Sequence, residues 1–194
     1  MGYAVAVLLG YLLGSIPVSL LAARAHGVNL YATADGNPGA WNVLQQLGPR
    51  RAWPAFAGDA LKGTAAGLIG YALAGVGGAY AGVAAAMIGH AFPLFTRFRG
   101  GKSVMTFVGG GFALSPLSAV VALGACVLTS LGARSFAVGA RVGVAGFPIA
   151  QLAFDPTRRV AATGALMALI GLRFWFAGRR SGRATSARGA ARST

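Results

Sequence analysis

The stretch HAFPLFTRFRGGKSV, residues 90–104, carries the side chains best suited to chemistry. A histidine, two arginines, a Gly-Gly pair and a lysine stand together there between apolar segments. Glycines allow positive φ angles and close approach, so consecutive backbone N–H groups can point at one anion. Lys102 adds a full positive charge beside Gly100, Gly101 and Ser103. The stretch predicts a site for phosphate or acyl-phosphate, and a basic loop that only anchors at lipid headgroups is the alternative.

A nucleotide-binding P-loop does not describe the same residues. That pattern is Gly, four residues, then Gly-Lys-Ser/Thr. The place of its first glycine is taken by Thr96, and no strand precedes it. The sequence therefore disfavours a soluble nucleotide-binding domain.

A second polar cluster is ADGNPGAWN, residues 34–42. The residues that favour a tight, non-helical bend are Asp35, Gly36, Asn37, Pro38 and Gly39. Asn37 and Asn42 carry amides that can donate to and accept from a polyol or a phosphate. The cluster predicts a substrate-binding loop, with a plain surface loop as the alternative.

A third cluster, GDALKG at residues 58–63, places two ionisable side chains in an apolar run. Asp59 and Lys62 are three residues apart and therefore share one helical face. They either pair, which lowers the cost of lying at a membrane boundary, or face a polar site in which Lys62 binds substrate.

Two single residues complete the candidates. His90 ends an apolar helix and has an ordinary pKa of about 6.5, so it is a candidate general base. A hydrogen-bonded structural histidine is the alternative. Ser15 lies in GSIP, residues 14–17, where Pro17 predicts a kink and the Ser15 hydroxyl can bond the backbone groups that the kink frees.

Composition indicates a membrane protein. Of 194 residues, 56% are hydrophobic and 10% charged, whereas a soluble domain carries roughly a quarter charged residues. The net charge of +14 comes from 17 basic residues against 3 acidic ones. The basic residues lie between apolar runs and in the tail, which suits anionic headgroups better than nucleic acid. The single cysteine, Cys126, supports neither a disulfide nor a metal site.

Seven apolar runs are candidate membrane spans: residues 3–23, 57–76, 79–94, 104–114, 117–133, 136–154 and 160–176. A spanning helix needs about 20 residues, so the run 104–114 is predicted to be tilted or half-spanning. The first run has no basic region before it and is predicted to be a retained span. The sequence thus predicts an all-α, polytopic integral membrane protein.

The basic residues also predict an orientation. With the amino terminus outside, twelve lysines and arginines fall in cytoplasmic segments, and only Arg158 and Arg159 fall in opposite ones. This orientation brings all three polar clusters to the cytoplasmic face. Residues 1–177 are expected to form one transmembrane domain, and residues 178–194 a basic, disordered cytoplasmic tail.

Together these residues resemble the bacterial acyl-phosphate:glycerol-3-phosphate acyltransferases, the PlsY type. The segments that match in order and spacing, over roughly residues 10–120, are GSIP, GNPGAWN, GDALKG, GHAFPLFTRFRGGKSV and LSP. The long element that contains His90 is the specific one.

The resemblance implies transfer of a fatty acyl group from acyl-phosphate to the 1-hydroxyl of glycerol 3-phosphate, giving lysophosphatidic acid for phospholipid synthesis. It implies no metal, no nucleotide, no nucleic acid and no obligate protein partner, and a place among the lipids of the inner (plasma) membrane. Lys102, His90 and Asn37 would be catalytic. The substrate-binding residues would be Ser15, Asp35, Gly36, Gly39, Asn42, Lys62, Gly100, Gly101 and Ser103.

Several polar positions depart from the family pattern. The departures are Asp35 for a serine, Trp41 for a threonine, Gln45 for an arginine, Ser103 for a glycine, and Ala137 and Ala140 for serines. The segment LRFWFAGRRSGR also lacks the family's His, Asn and Glu. Two hypotheses follow: an acyltransferase in which Arg97, Arg99 or Arg173 replaces lost charge, or a non-catalytic relative that binds lipid or another protein.

Overall fold

The chain folds into α-helices joined by short loops. The computed structural model describes residues 1–190, with side chains as far as residue 177. Its helices are α1 Gly2–Ser15, α2 Val18–Arg24, α3 Ala40–Leu47, α4 Pro49–Ala91, α5 Val104–Leu114, α6 Pro116–Gly132, α7 Phe136–Phe154 and α8 Thr157–Ala190. The described residues contain no strand, as predicted. Residues 178–190 of the predicted tail are described only as the backbone of α8, and residues 191–194 lie outside the described part. The predicted disorder of the tail stays a prediction.

Four segments are long and apolar enough to cross a membrane: Gly2–Arg24, Pro49–Thr96, Phe136–Phe154 and Thr157–Ala177. The second of these is long enough for two crossings. The backbone of α4 is not helical at Ala74 and Gly75, and Gly70 and Gly78 on either side of this break contact each other, so the two limbs run back along one another. Gly75 takes φ 60°, which a glycine adopts without strain. Together with the shorter α5 and α6, the apolar segments number about seven, as predicted.

The start of α4 differs from the expected span. The apolar run begins at residue 57, whereas the helix begins at Pro49. Arg50 and Arg51 are charged, so the apolar run does not extend back to the true start of the helix. Proline is common at the first helical position, and Pro49 was the available signal. The two limbs of α4, before and after Gly75, correspond to the predicted runs 57–76 and 79–94.

Small residues bring the central helices into contact. α1 lies along the second limb of α4, where a Cβ on Gly10 would lie 2.5 Å from the Gly82 carbonyl oxygen. α5 lies on the first limb, where a Cβ on Gly109 would overlap the Ala60 carbonyl. Small residues at such contacts are typical of helices that pack in lipid.

The predicted kink at GSIP is present. α1 ends at Ser15 and α2 begins at Val18, because Ile16 and Pro17 leave the helical conformation. The Ser15 hydroxyl donates to the Tyr11 carbonyl at 2.8 Å, which lies within its own helix. The break leaves the Ile16 carbonyl open to a side chain from α4.

The loop that contains Gly100 and Gly101, between α4 and α5, is called the glycine-rich loop. A polar cluster at the opposite end of the bundle joins the α5–α6 corner to the α7–α8 corner. Asp155, after α7, accepts from Ser115 and Ser118 at the junction of α5 and α6. Its other oxygen lies 2.9 Å from the Arg159 guanidinium on α8. The cluster holds α8 against the α5–α6 corner.

Candidate active site

Asp59 is the centre of a buried polar group. Its side chain is 1% exposed. The Ser19 hydroxyl donates to Oδ2 at 2.5 Å, and Lys62 Nζ lies 2.9 Å from Oδ1. His90 Nδ1 lies 3.5 Å from the same oxygen. Side chains from α2 and from both limbs of α4 therefore meet at one carboxylate, and the predicted pairing of Asp59 with Lys62 is present.

Lys62 links this group to the kink in the first span. Its ammonium donates to the Ile16 carbonyl at 3.1 Å and forms an ion pair with Asp59. A buried cation that has a charged partner and a further acceptor avoids most of the cost of lost hydration. The contact with substrate predicted for Lys62 stays a prediction.

The Gly-Gly pair lies flat against His90. The Gly101 N–H donates to the His90 carbonyl at 3.0 Å. A Cβ on Gly101 would overlap His90 Nε2, and one on Gly100 would overlap the His90 carbonyl oxygen. The expectation that both N–H groups point at an anion is therefore wrong for Gly101, because its donor is engaged within the protein. Both glycines allow this close packing, and the substrate contacts predicted for Gly100 and Gly101 stay predictions.

Arg173 on α8 holds the same loop from the other side. Its Nη2 donates to the carbonyls of Gly100 and Gly101 at 3.1 Å each, and its Nε donates to Gly101 at 3.2 Å. The guanidinium also lies 4.7 Å from the centre of the Phe92 ring. The sequence suggested Arg173 only as a replacement charge, and the signal for its role is an arginine within an apolar span.

Lys102 meets the second polar cluster directly. Its Nζ lies 2.8 Å from Asp35 Oδ2, with the lysine side chain 19% and the aspartate 43% exposed. The other carboxylate oxygen accepts from the Asn37 N–H at 3.1 Å. Lys102 also lies 4.7 Å from the centre of the Phe174 ring on α8. The ion pair joins the first loop to the glycine-rich loop.

Asp35 is a carboxylate at neutral pH. Partial burial raises the pKa of its carboxyl group, but the hydrogen bonds from Lys102 and from the Asn37 N–H outweigh this effect. The pKa of Asp35 therefore lies below its usual value.

Asn42 shapes the loop that carries Asp35. It is 2% exposed, and its amide donates to the carbonyls of Leu30, Thr33 and Asn37 at 3.1, 3.2 and 3.0 Å. Gly36 takes φ 69° in the same loop, which explains the glycine there. The substrate contacts predicted for Asn37, Asn42, Gly36 and Gly39 stay predictions.

Ser103 occupies a conformation that favours glycine. Its φ is 63° and ψ is 10°, in the left-handed region. Its hydroxyl is buried and donates to the Met87 carbonyl at 2.6 Å. That hydrogen bond offsets part of the strain and shows how the chain accepts serine where the family pattern has glycine. Contacts of Ser103, and of Ser15, with substrate stay predictions.

The polar residues line a narrow cleft. Ser19, Lys62, His90 and Gly101 contribute to its walls, with Arg99 at the same cleft. The Arg99 guanidinium lies 4.6 Å from the centre of the Tyr31 ring, whose hydroxyl donates to the Arg99 carbonyl at 2.9 Å. The three predicted clusters thus converge: Asp35 with Lys102, and Asp59 with His90. Within the described residues, no group of three or more His, Cys, Asp or Glu forms that could hold a metal ion.

An apolar cavity of about 790 Å³ opens between α4, α5, α6 and α7. Its lining includes Phe56, Met105, Phe107, Ala122, Phe136 and Val144. Met105 follows Lys102 by three residues, so the cavity begins close to the lysine loop. Trp41 stacks on Phe136 with ring centres 6.0 Å apart, and Phe56 meets Phe136 edge-on. The departure at Trp41 thus packs at the border of the cavity.

The apolar helical bundle gathers a buried ionic group and a lysine-bearing loop at one end, beside an apolar cavity. These features define an integral membrane protein with a polar site next to an apolar one. Residues 4–181 match the family model for glycerol-3-phosphate acyltransferase. The chain belongs to this family.

Relatives and solved structures agree with this assignment. The chain is 40% identical to the glycerol-3-phosphate acyltransferase of Brucella suis over 166 residues, which cover 85% of this chain and 82% of that one. With the enzyme of the same name from Geotalea daltonii it shares 40% over 139 residues, 71% of this chain and 72% of that one. With that from Rubrobacter xylanophilus it shares 43% over 111 residues, so the match spans little more than half of that relative, 56%.

The crystal structure of PlsY, an integral membrane glycerol 3-phosphate acyltransferase, superposes in its glycerol 3-phosphate form with a TM-score of 0.80. The two are 28% identical over 97% of this chain and 94% of that chain. A second PlsY structure, in the lysophosphatidic acid form, gives a TM-score of 0.78. The chain is accordingly an integral membrane protein of the PlsY family, as the motifs predicted.

Proposed function

We propose that the protein transfers a fatty acyl group from acyl-phosphate to the 1-hydroxyl of glycerol 3-phosphate, forming lysophosphatidic acid and inorganic phosphate. The observation that carries this proposal is the convergence of three polar clusters beside an apolar cavity of about 790 Å³. A lysine-bearing polar end suits phosphate groups, and an apolar cavity suits a hydrocarbon chain. The alternative hypothesis, a non-catalytic protein that binds lipid or another protein, has no support from the relatives, which are named as the enzyme.

The reaction requires little covalent chemistry from the protein itself. The acceptor hydroxyl oxygen bonds to the acyl carbonyl carbon, the bond from that carbon to the phosphate oxygen breaks, and the hydroxyl proton ends on the phosphate that leaves. Acyl-phosphate is already activated, so the site has to align the hydroxyl with the carbonyl and neutralise negative charge.

Lys102 is the residue we assign to the phosphate charge. Its ammonium is only partly exposed, and its carboxylate partner, Asp35, is 43% exposed. A cation in partly buried surroundings acts on an anion more strongly than it would in bulk water. Loss of this charge would leave the departing phosphate uncompensated.

His90 and Arg173 are assigned a positioning role. The His90 ring is buried between Asp59 and Gly101, and Arg173 bonds the carbonyls of the Gly-Gly pair. Both fix the backbone that leads into Lys102. General-base catalysis by His90 rests on its residue type and on the resemblance, and a catalytic role for Asn37 rests on the resemblance.

The site is proposed to face the cytoplasm from the inner membrane, with the amino terminus outside. The excess of basic residues on the same end as Lys102 supports this orientation. Glycerol 3-phosphate, a polar metabolite, would then reach the cleft from the aqueous side, while the acyl chain would occupy the cavity within the membrane.

A comparison of acyl donors tests the proposal. Purified protein in lipid nanodiscs is given labelled glycerol 3-phosphate with palmitoyl-phosphate, palmitoyl-CoA or palmitoyl-acyl carrier protein. Lysophosphatidate is expected from palmitoyl-phosphate alone. Product from a thioester donor and none from the acyl-phosphate would overturn the donor assignment.

A further inference from the structure

We propose that the Asp35 carboxylate occupies the place of a substrate phosphate at Lys102 and thereby sets the affinity of the site for phosphate. Asp35 would act as a built-in competitor, so that a phosphate-bearing substrate must displace it to reach the ammonium. The inference rests on the proposed function only in taking Lys102 as a phosphate-binding residue.

The contact has the geometry of a bound anion. Asp35 Oδ2 lies 2.8 Å from Lys102 Nζ, a length typical of a hydrogen bond between a cation and an anionic oxygen. A phosphate oxygen would present the same kind of acceptor to the same ammonium. The two anions therefore compete for one donor group.

The carboxylate is held at this position by its own loop. Oδ1 accepts from the Asn37 N–H at 3.1 Å, which leaves Oδ2 directed at Lys102. Gly36 allows the turn with its positive φ, and the amide of Asn42 fixes the loop through three carbonyls. A group that is tethered in this way acts at a high effective concentration, on the order of millimolar.

The negative charge of Asp35 can only weaken the binding of phosphate at Lys102. A phosphate dianion at Lys102 either displaces Asp35, losing the existing ion pair, or shares the ammonium with it, which places like charges close together. Both routes weaken phosphate binding. Removing the negative charge of Asp35 while keeping its turn should therefore tighten binding.

The substitution Asp35→Asn removes the negative charge and changes the shape of the side chain very little. Asparagine keeps an oxygen that can accept from the Asn37 N–H, but it carries no charge. Asp35→Ala removes both the charge and the turn hydrogen bond. Asp155→Asn is the control for net charge, because Asp155 lies in the cluster with Ser115 and Arg159 at the other end of the bundle.

The test measures binding of labelled glycerol 3-phosphate, and of a non-hydrolysable acyl phosphonate, to the full chain in nanodiscs. Asp35→Asn is expected to lower Kd by about threefold to tenfold for the ligand whose phosphate meets Lys102. Asp155→Asn is expected to leave Kd unchanged. The ligand that responds shows whether the phosphate belongs to the acceptor or to the donor.

A Lys102→Ala background sharpens the test, because Asp35→Asn should give no gain when the ammonium is absent. An unchanged or higher Kd for both ligands in Asp35→Asn would overturn the inference. So would an effect seen only in Asp35→Ala, since the turn rather than the charge would then be responsible.

Turnover is measured on the same samples, so that the two proposals fail separately. Tighter binding in Asp35→Asn without lysophosphatidate from any variant would sink the enzyme proposal and leave this inference standing. Normal turnover in the wild type with unchanged binding in Asp35→Asn would sink this inference alone.

Discussion

At the scale of single residues, the chain buries an ionic group whose members depend on one another. Asp59 has Ser19, Lys62 and His90 around it, and Lys62 also reaches the Ile16 carbonyl. Breaking a buried ion pair by removing one partner leaves a charge without compensation. The packing of α2 against both limbs of α4 therefore depends on the Asp59 carboxylate.

Asp59→Asn is expected to lower the free energy of unfolding by about 3–5 kcal/mol, because it leaves Lys62 buried without its anion. Thermal unfolding in detergent against the wild type measures the loss. Ser19→Ala removes a single hydrogen bond to the same carboxylate and should cost about 1–3 kcal/mol. If Asp59→Asn unfolded at the wild-type temperature, Lys62 would have found another anion and the described group would not be essential.

The charge of Asp35 gives a pH prediction. Because its pKa lies below the usual value of about 3.8, the pairing with Lys102 is present above that value and is lost only as pH falls below it. The ratio of wild-type to Asp35→Asn Kd for glycerol 3-phosphate should thus stay above one at both about pH 5.5 and about pH 7.5. Protonation of the ligand phosphate at the lower pH reduces its repulsion from the carboxylate, so the ratio becomes smaller there but does not reach one. A ratio that fell to one at the lower pH would mean that Asp35 is protonated there.

At the scale of elements, the site depends on one loop laid between two helices. The Gly-Gly pair contacts His90 at the end of α4 and accepts from Arg173 on α8. Lys102 follows directly and takes its position from this packing. A side chain added at Gly101 is therefore expected to disturb stability and turnover more than one added at a glycine that faces away from other helices.

Gly101→Ala is expected to lower both stability, by about 1–3 kcal/mol, and turnover, because the added methyl group would overlap His90 Nε2. Gly124→Ala is the matched control, since a Cβ there meets no atom within 4 Å and alanine favours the α6 helix. Unfolding temperatures and rates of the two variants make the comparison. Equal behaviour of both variants would show that the loop can move away from His90 at no cost.

The elements also show what the sequence could and could not reveal. The bounds of α5 and α7 equal the predicted runs 104–114 and 136–154, because polar residues or turns end the apolar runs sharply there. The start of α4 at Pro49 was missed because two arginines interrupt the hydrophobic signal. The contacts of Arg173 with Gly101 and of Lys102 with Asp35 join residues 72 and 67 positions apart, and such pairings leave no periodic pattern in a sequence.

At the scale of the whole molecule, the polar clusters lie at the two ends of the bundle, and apolar side chains cover the helices between them. The glycine-rich loop and the Asp35 loop meet at one end, and the Asp155 cluster fastens the other. Large side chains such as Leu128, Leu131 and Ile149 are exposed along the helices, as expected where lipid replaces water. The motifs predicted this polarity because turn residues and charges fall between apolar runs.

The orientation of the bundle is open to a labelling experiment. In a Cys126→Ala background, Thr157→Cys and Arg97→Cys place single thiols in exposed positions at opposite ends. A membrane-impermeant maleimide should label Thr157→Cys in intact spheroplasts, and Arg97→Cys only after lysis, because the basic end lies inside. The opposite pattern would reverse the proposed topology and place the cleft outside the cell.

The measurement that tests the central claim most directly is the initial rate of lysophosphatidate formation from palmitoyl-phosphate and labelled glycerol 3-phosphate by the purified protein. The account predicts product in the wild type, with one inorganic phosphate released for each acyl group transferred. It predicts a fall in kcat/KM of about 10²–10³ in Lys102→Ala, with partial recovery in Lys102→Arg. A wild-type rate no higher than that of empty nanodiscs, or a Lys102→Ala rate equal to the wild type, would contradict it.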